Sequence, residues 1–475
     1  MYPQTVALAV FSATLFATFF VAWLGRRHAR HLEAAPLTEQ KLNRWLVGLS
    51  AGATANSGFV VTGAVGLGYV YGFQWLLLPL GWLLGDIVFW TFFPQRINRF
   101  GAAARVTTLS EIITYRAGAN LAARLLPVVC SIIVLVCLGG YTVAQWFSST
   151  KVLHGAFGFD GMGASILFGA VIIAYTAIGG FRGSVYADSL QAVIRVVGTA
   201  IGVGAVAWFA VTSDAFGANI ASAGPEFVHP LGSLSVSGAV GFVAGYAAAA
   251  LGFGLGQPQI LSRYLAGASP RETHAAWAIY LSFVQLTWIA MTVFGILLRG
   301  VMPGIEDPEA GFSLFFAKNM PGWVTGLIMA DIFATLAATT NSLLVAMAQS
   351  VTRDLLRPLL GARAASAPIG IIALAVGAIT MGASMVVSGT VVSFALTSVS
   401  LMAAGIAPSV MIKVLGWRHN SWSLLCSILL GFVSAAAWKY SGFGAVINEA
   451  AIGIALGLFV NWIIVALSRS DEASK

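Results

Sequence analysis

Apolar residues in this chain come in long unbroken blocks, and the polar residues collect in short stretches between them. A membrane-crossing helix needs about 20 apolar residues. By that measure the pattern predicts thirteen spans, at about 4–24, 45–69, 74–94, 120–150, 161–180, 188–212, 233–255, 274–299, 321–350, 367–388, 391–414, 421–439 and 445–468. The blocks at 120–150 and 321–350 exceed a bilayer crossing and are expected to tilt or protrude.

Two blocks are interrupted. Leu49 to Gly63 reads LSAGATANSGFVVTG, and from Ser50 to Gly58 it carries no bulky apolar side chain. Gly245 to Gln259 reads GYAAAALGFGLGQPQ and is broken near its end by Pro258. Close helix packing is one reading, because small residues let backbones approach. The other is unwinding. Backbone groups in hydrocarbon must be hydrogen-bonded, so non-helical chain survives only where it lines a protein cavity. Interrupted segments in corresponding positions of two halves mark an inverted-repeat transporter, with its site at the breaks. The two breaks lie five spans apart, and this odd separation turns the second unit upside down. The expected organisation is a first helix and basic loop (1–44), repeat one (45–212), repeat two (213–414) and two final helices with a short tail (415–475).

Composition agrees with the pattern. Of 475 residues, 58% are hydrophobic and 9% charged, against roughly a quarter charged in soluble domains. The class is an all-α polytopic membrane protein. A net charge of +8 raises the question of nucleic acid, but the distribution of lysine and arginine answers it. With the loop after the first span placed in the cytoplasm, twenty of the 25, Arg263 among them, fall inside, four fall outside and Arg195 lies within a span. That asymmetry follows the positive-inside rule. It puts the N-terminus outside and the C-terminus in the cytoplasm of a bacterial inner membrane. The first apolar run flows into a basic loop and reads as a retained anchor. Cys130, Cys137 and Cys426 sit in apolar runs without metal spacing. All six histidines fall in loops or at span ends, which gives no haem pair or metal cluster and argues against an enzyme or redox carrier. No span carries the continuous polar lining of a channel. A transporter-like sensor working with a partner protein is the alternative reading.

Three aspartates fall inside spans: Asp86, Asp188 and Asp331. Such carboxylates are costly and face a cavity or a partner. Arg195 stands two turns from Asp188 on the same face and is expected to reach it.

Four segments, SAGATANSG (50–58), AYTAIGGFRGSVYADSLQ (174–191), GQPQILSRYLAG (256–267) and SLLVAMAQSVTRDL (342–355), occur in order at the matching spans. With them the chain resembles the sodium/solute symporter family, its proline-permease-like branch in particular. The resemblance implies a five-plus-five inverted-repeat core and sodium-driven import of a small organic solute such as an amino acid, betaine or monocarboxylate. It places sodium-binding carbonyls at Ala53, Asn56 and Ala334, and a hydroxyl pair at Ala337 and Ala338, where this chain has methyl groups. Many relatives carry an aspartate at the position of Ala55. Thr339 and Thr340 are adjacent, but a shift of one or two residues turns a helix by roughly 100–200°. Asp188 matches a family aspartate on the ion path. Asp331 lies one turn before Ala334 and could carry a proton in place of sodium, relayed by Asp188. Both ions stay open, and no other cofactor is implied. For the solute, the resemblance gives Tyr141 as a facing aromatic. The breaks at Ala53, Asn56, Ser57 and Gly58, and at Gln257, offer amide and polar contacts. Ala250 and Gly254 replace large aromatics of proline carriers, with Phe253 on another face, so a wider pocket is expected. Other Trp and Phe read as lipid-facing or interfacial. The expected partners are the solute and membrane lipid; the sequence leaves the oligomeric state open, and a monomer fits.

Overall fold

The computed structural model describes residues 5–14, 16–17, 20, 24, 41–159, 161–361 and 369–473, with the side chains of 161–162, 164–165, 173–180, 182–183 and 469–473 left aside. Arg26, Arg27, Arg30, Arg363 and Lys475, which entered the charge asymmetry, lie outside the described residues, as do half of the side chains of the 174–191 motif.

The principal helices, in chain order, are α1 (Arg44–Ala55), α2 (Ala64–Tyr71), α3 (Leu77–Phe92), α4 (Leu121–Phe157), α5 (Gly161–Thr212), α6 (Val236–Gly256), α7 (Pro258–Leu265), α8 (Trp277–Val301), α9 (Gly322–Gln349), α10 (Ile369–Val386), α11 (Val391–Leu415), α12 (Ser421–Tyr440) and α13 (Glu449–Ala473). No named strand occurs among the described residues. Among the described residues ten helices are long and apolar enough to cross a membrane, which leaves the expected count of thirteen unconfirmed. The first expected span is described only in part, chiefly as Thr5–Thr14. The spans expected at 161–180 and 188–212 belong to one helix, α5. That helix cannot be straight. Phe168 packs on Phe333 at 4.8 Å between ring centres, while Arg195 reaches Asp331, two residues away on α9. A straight helix would hold residues 168 and 195 about 40 Å apart, so α5 doubles back between them.

Both breaks form where the small residues stand. α1 starts on the Asn43 cap, whose side chain accepts from the Leu46 N–H at 3.0 Å, and stops at Ala55. Asn56 leaves helical geometry (φ −82°, ψ 73°), and the chain restarts at Gly58 into a π-helical turn, Phe59–Gly63, that leads into α2. The Gly58 N–H is satisfied by Gln145 Oε1 of α4 at 2.9 Å, as buried backbone requires. The second break is the single residue Gln257 (φ −92°, ψ 108°) between α6 and α7. Pro258 opens α7 at a position whose N–H would be orphaned anyway. Around Leu42 the chain is clamped to the segment after α7 by Leu42 N–H to Ala266 O and Ala268 N–H to Leu42 O, each 2.8 Å.

α9 is the central post. Every residue from Ile328 to Leu344 is buried, which explains why the helix is apolar or small on all sides. α10, with few buried residues, lies at the periphery, and α12 and α13 pack on each other and on α11.

Close approach of α3 and α6 rests on Gly85, where an added Cβ would stand 2.0 Å from Ala247 O and 2.7 Å from Ala250 Cβ. Gly85→Val is expected to abolish the monodisperse size-exclusion peak of the detergent-solubilised protein. Gly204→Ala, at a glycine with no neighbour within 4 Å of the added Cβ, is expected to leave that peak unchanged.

Candidate solute cavity and ion region

A cavity opens beside the first break. Ala55, Asn56, Ser57, Phe59 and Val60 form one wall; Trp82 of α3, Tyr141 of α4, Phe253 of α6, Val284 and Trp288 of α8, and Val399 of α11 form the rest. The aromatic rings make a box: Trp82 lies 5.4 Å from Phe253 and 5.3 Å from Trp288, and Trp288 meets Phe59 edge-on at 5.5 Å. Tyr141 and Ser57 both line it. No Asp, Glu, Lys, Arg or His lines the cavity. One turn beyond Tyr141, Gln145 holds the Gly58 amide with its oxygen, while its buried Nε2 has no partner.

Behind Asn56 lies a second, tighter space lined by Ala53, Asn56, Gln191, Ala192, Arg195, Thr335 and Ala338, closed by Phe283. The Asn56 amide group divides the two: its Nδ2 donates to Thr287 Oγ1, and its Oδ1 has no partner. Arg195 is fully buried and pairs with Asp331 at 2.9 Å. Gly198 leaves room for that carboxylate, since a Cβ there would fall 2.3 Å from Asp331 Oδ2.

A second ion pair ties four helices together near α7. Asp188 Oδ2 of α5 accepts from Arg263 Nη2 at 3.1 Å and from Ser50 Oγ of α1 at 2.8 Å. Arg263 of α7 also donates to Ser342 Oγ of α9 at 2.9 Å and to Gln259 O at 2.6 Å. Asp86 has neither pair. Its buried Oδ2 has no hydrogen-bond partner, and no basic side chain pairs with it among the described residues.

These placements revise several expectations. Asn56, Ser57 and Tyr141 gather at the cavity; Ala53, Asn56 and Ala338 gather at the tight space behind it. Ala334 and Ala337 are buried in α9 but line neither. Gly58 braces the break against Ser148 and Leu336. Ala250 and Gly254 face α3, against Gly85 and Phe89, so they do not widen the cavity. Phe253, set on another face by the sequence, is the residue that lines it. The Gln257 side chain accepts from Gln259 Nε2 at 2.8 Å and lies away from the cavity. Arg195 does not reach Asp188, and Asp331 is not a free carboxylate, because the two opposite charges pair across α5 and α9. Arg263, assigned to a loop by charge counting, is buried in a pair of its own. Trp82, Trp288, Gln145 and Gln191 were missed. A buried Trp and an interfacial one look alike in a hydropathy profile; only their positions one turn before Asp86 and one turn beyond Val284 hint at an inward face.

Of the residues offered for sodium, Ala53, Asn56 and Ala338 line one space, and Ala334 and Ala337 do not line it. Ala337 and Ala338 supply no hydroxyl. Thr335 Oγ1 donates to Asp331 O, Thr339 Oγ1 to Thr54 O and Thr340 Oγ1 to Leu336 O. Among the described residues no group of three or more His, Cys, Asp or Glu side chains could hold a metal ion.

The sequence profile of the sodium:solute symporter family matches residues 37–431. The osmoregulated proline transporter OpuE of Bacillus subtilis is 24% identical over 446 residues, which cover 90% of this chain and 87% of that one. The sodium/pantothenate symporter of Escherichia coli is 24% identical over 357 residues, covering 73% and 71%. Among solved structures, the substrate-bound outward-open state of a Na+-coupled sialic acid symporter superposes with a TM-score of 0.80 at 17% identity, over 97% of this chain and 98% of that one. That likeness establishes the fold.

The contrast between paired and unpaired aspartates predicts opposite effects of the same substitution. Asp331→Asn strands Arg195 in the interior and is expected to cost about 3 kcal/mol or more, read as a drop in thermal unfolding temperature in detergent. Asp86→Asn removes a carboxylate without a cation and is expected to match or exceed the wild type. Equal losses in both variants would show that Asp86 has an ionic partner.

Proposed function

This chain belongs to the sodium:solute symporter family, and on that premise we propose that it imports a small, net-neutral zwitterion with an apolar body, such as an imino acid, amino acid or betaine. As a member it is an integral membrane protein and a secondary active symporter of small organic solutes. The observation that carries the finer reading is that no Asp, Glu, Lys, Arg or His side chain lines the cavity. A solute with net charge would enter it without a counter-charge, at the cost of desolvating an unpaired ion. A zwitterion brings its own compensation. Its carboxylate is served by Ser57, by the free Nε2 of Gln145 and by the positive end of the helix that restarts at Gly58. Its ammonium or apolar ring is served by the faces of Trp82 and Trp288, as cation–π contact or simple burial. The relatives named for proline agree with such a solute. Size gives no reason to exclude proline, since the residues expected to widen the pocket face α3 instead.

The transport core in this reading comprises two oppositely oriented units, 45–212 and 213–414. The N-terminus lies outside and the C-terminus inside, on the strength of the lysine and arginine asymmetry.

Thermal-shift screening of the purified protein against amino acids, betaines and monocarboxylates tests this. A ligand at a hundred times its Kd stabilises by about 2.7 kcal/mol. Zwitterions are expected to shift the transition and simple monocarboxylates to leave it in place. Trp288→Ala is expected to weaken the binding at least tenfold, about 1.4 kcal/mol, with folding retained. Stabilisation by monocarboxylates alone would overturn the proposal.

A further inference from the structure

We infer that the guanidinium of Arg195 is a built-in cation at the place where relatives hold sodium, and that this chain binds its solute without sodium. The inference rests on the symporter reading of the core but not on which solute fills the cavity.

Four observations converge. The tight space between Ala53, Asn56 and Ala338, the positions assigned to the sodium cage, is the space that Arg195 enters from α5. A hard cation needs several oxygen ligands to replace its water. Here Ala337 and Ala338 bear methyl groups where the resemblance places hydroxyls.

The second observation is the donor and acceptor count. Arg195 is fully buried, yet its Nε and Nη2 have no partner. Asn56 Oδ1 and Gln191 Oε1, on the walls of the same space, are acceptors without donors. An arginine carries five N–H donors and no acceptor; Arg195 bonds Asp331 through Nη1, and its unpaired nitrogens and these unpaired oxygens belong to the lining of one space without bonding each other.

The third is charge. Arg263 neutralises Asp188, and Arg195 neutralises Asp331. An added sodium ion would stand beside a guanidinium in a water-poor interior with no free carboxylate next to it, where like charges repel strongly.

The fourth is room. Gly198 is the residue whose missing side chain lets Asp331 turn toward α5. The pair is therefore accommodated by the backbone of α5.

In this arrangement Arg195 joins α5 to α9 through Asp331 and keeps a positive charge beside the first break whether or not an ion is present. Symport then runs on a cation other than sodium.

The test uses purified full-length protein and needs no solute. Scintillation-proximity measurement with 22Na+ is expected to show no saturable binding to the wild type at tens of millimolar. Calorimetric Kd values for a solute found by the screen are expected to agree within twofold in sodium and potassium buffers at one pH. Stoichiometric 22Na+ binding, or a tenfold gain in solute affinity with sodium, overturns the inference. Restoring the cage supplies the converse. Arg195→Met with Asp331→Asn removes the pair as a unit, and Ala337→Ser with Ala338→Ser returns the hydroxyls. This variant, when monodisperse, is expected to gain saturable 22Na+ binding. Continued absence of binding in that folded variant overturns the role given to the guanidinium. Failure of the zwitterion reading would leave the 22Na+ results untouched.

Discussion

A helix broken inside a membrane must find partners for the backbone groups it releases, and the rest of this structure depends on how that is met. Gln145 of α4 takes the Gly58 amide, Ser57 Oγ takes the Phe59 amide, and Pro258 removes one donor at the other break. Because α4 and the first break are joined this way, Tyr141, one turn before Gln145, is carried to the edge of the cavity. Because the break replaces helix with small residues, α8 and α9 come close enough for Trp288 and Ala338 to face the same loop.

The second organising feature is two buried ion pairs between helices distant in sequence, with Asp86 outside both. Asp188 with Arg263 joins α1, α5, α7 and α9, and Asp331 with Arg195 joins α5 and α9. Replacing one member of such a pair leaves an uncompensated charge in a medium that does not tolerate one. Neither pair lines the cavity beside the first break.

The two breaks were legible because composition alone announces them: nine residues without bulk in one case, glycine followed by Gln-Pro in the other. The family was legible for the same reason. What could not be read was orientation around a helix axis. At 250–254 a shift of one residue turns a side chain by about 100°, enough to exchange Gly254, which packs on Phe89, for Phe253, which lines the cavity. Nor could the partner of Arg195 be read. Asp188, seven residues away, is near in sequence, while Asp331 lies 136 residues away and becomes near only when α5 doubles back against α9. The charge asymmetry could not separate Arg263, a core residue, from the loop arginines around it.

The account places an uncharged solute cavity and a guanidinium-filled cation position on opposite sides of Asn56. A high-resolution density map of the protein with a saturating zwitterion, prepared in sodium buffer, addresses both at once. The predicted result is solute density between Ser57 and the Trp82–Trp288 faces, with Arg195 still on Asp331 and side-chain density filling the space between Ala53 and Ala338. Solute density elsewhere, or an ion between Ala53 and Ala338 with Arg195 turned away, would contradict it.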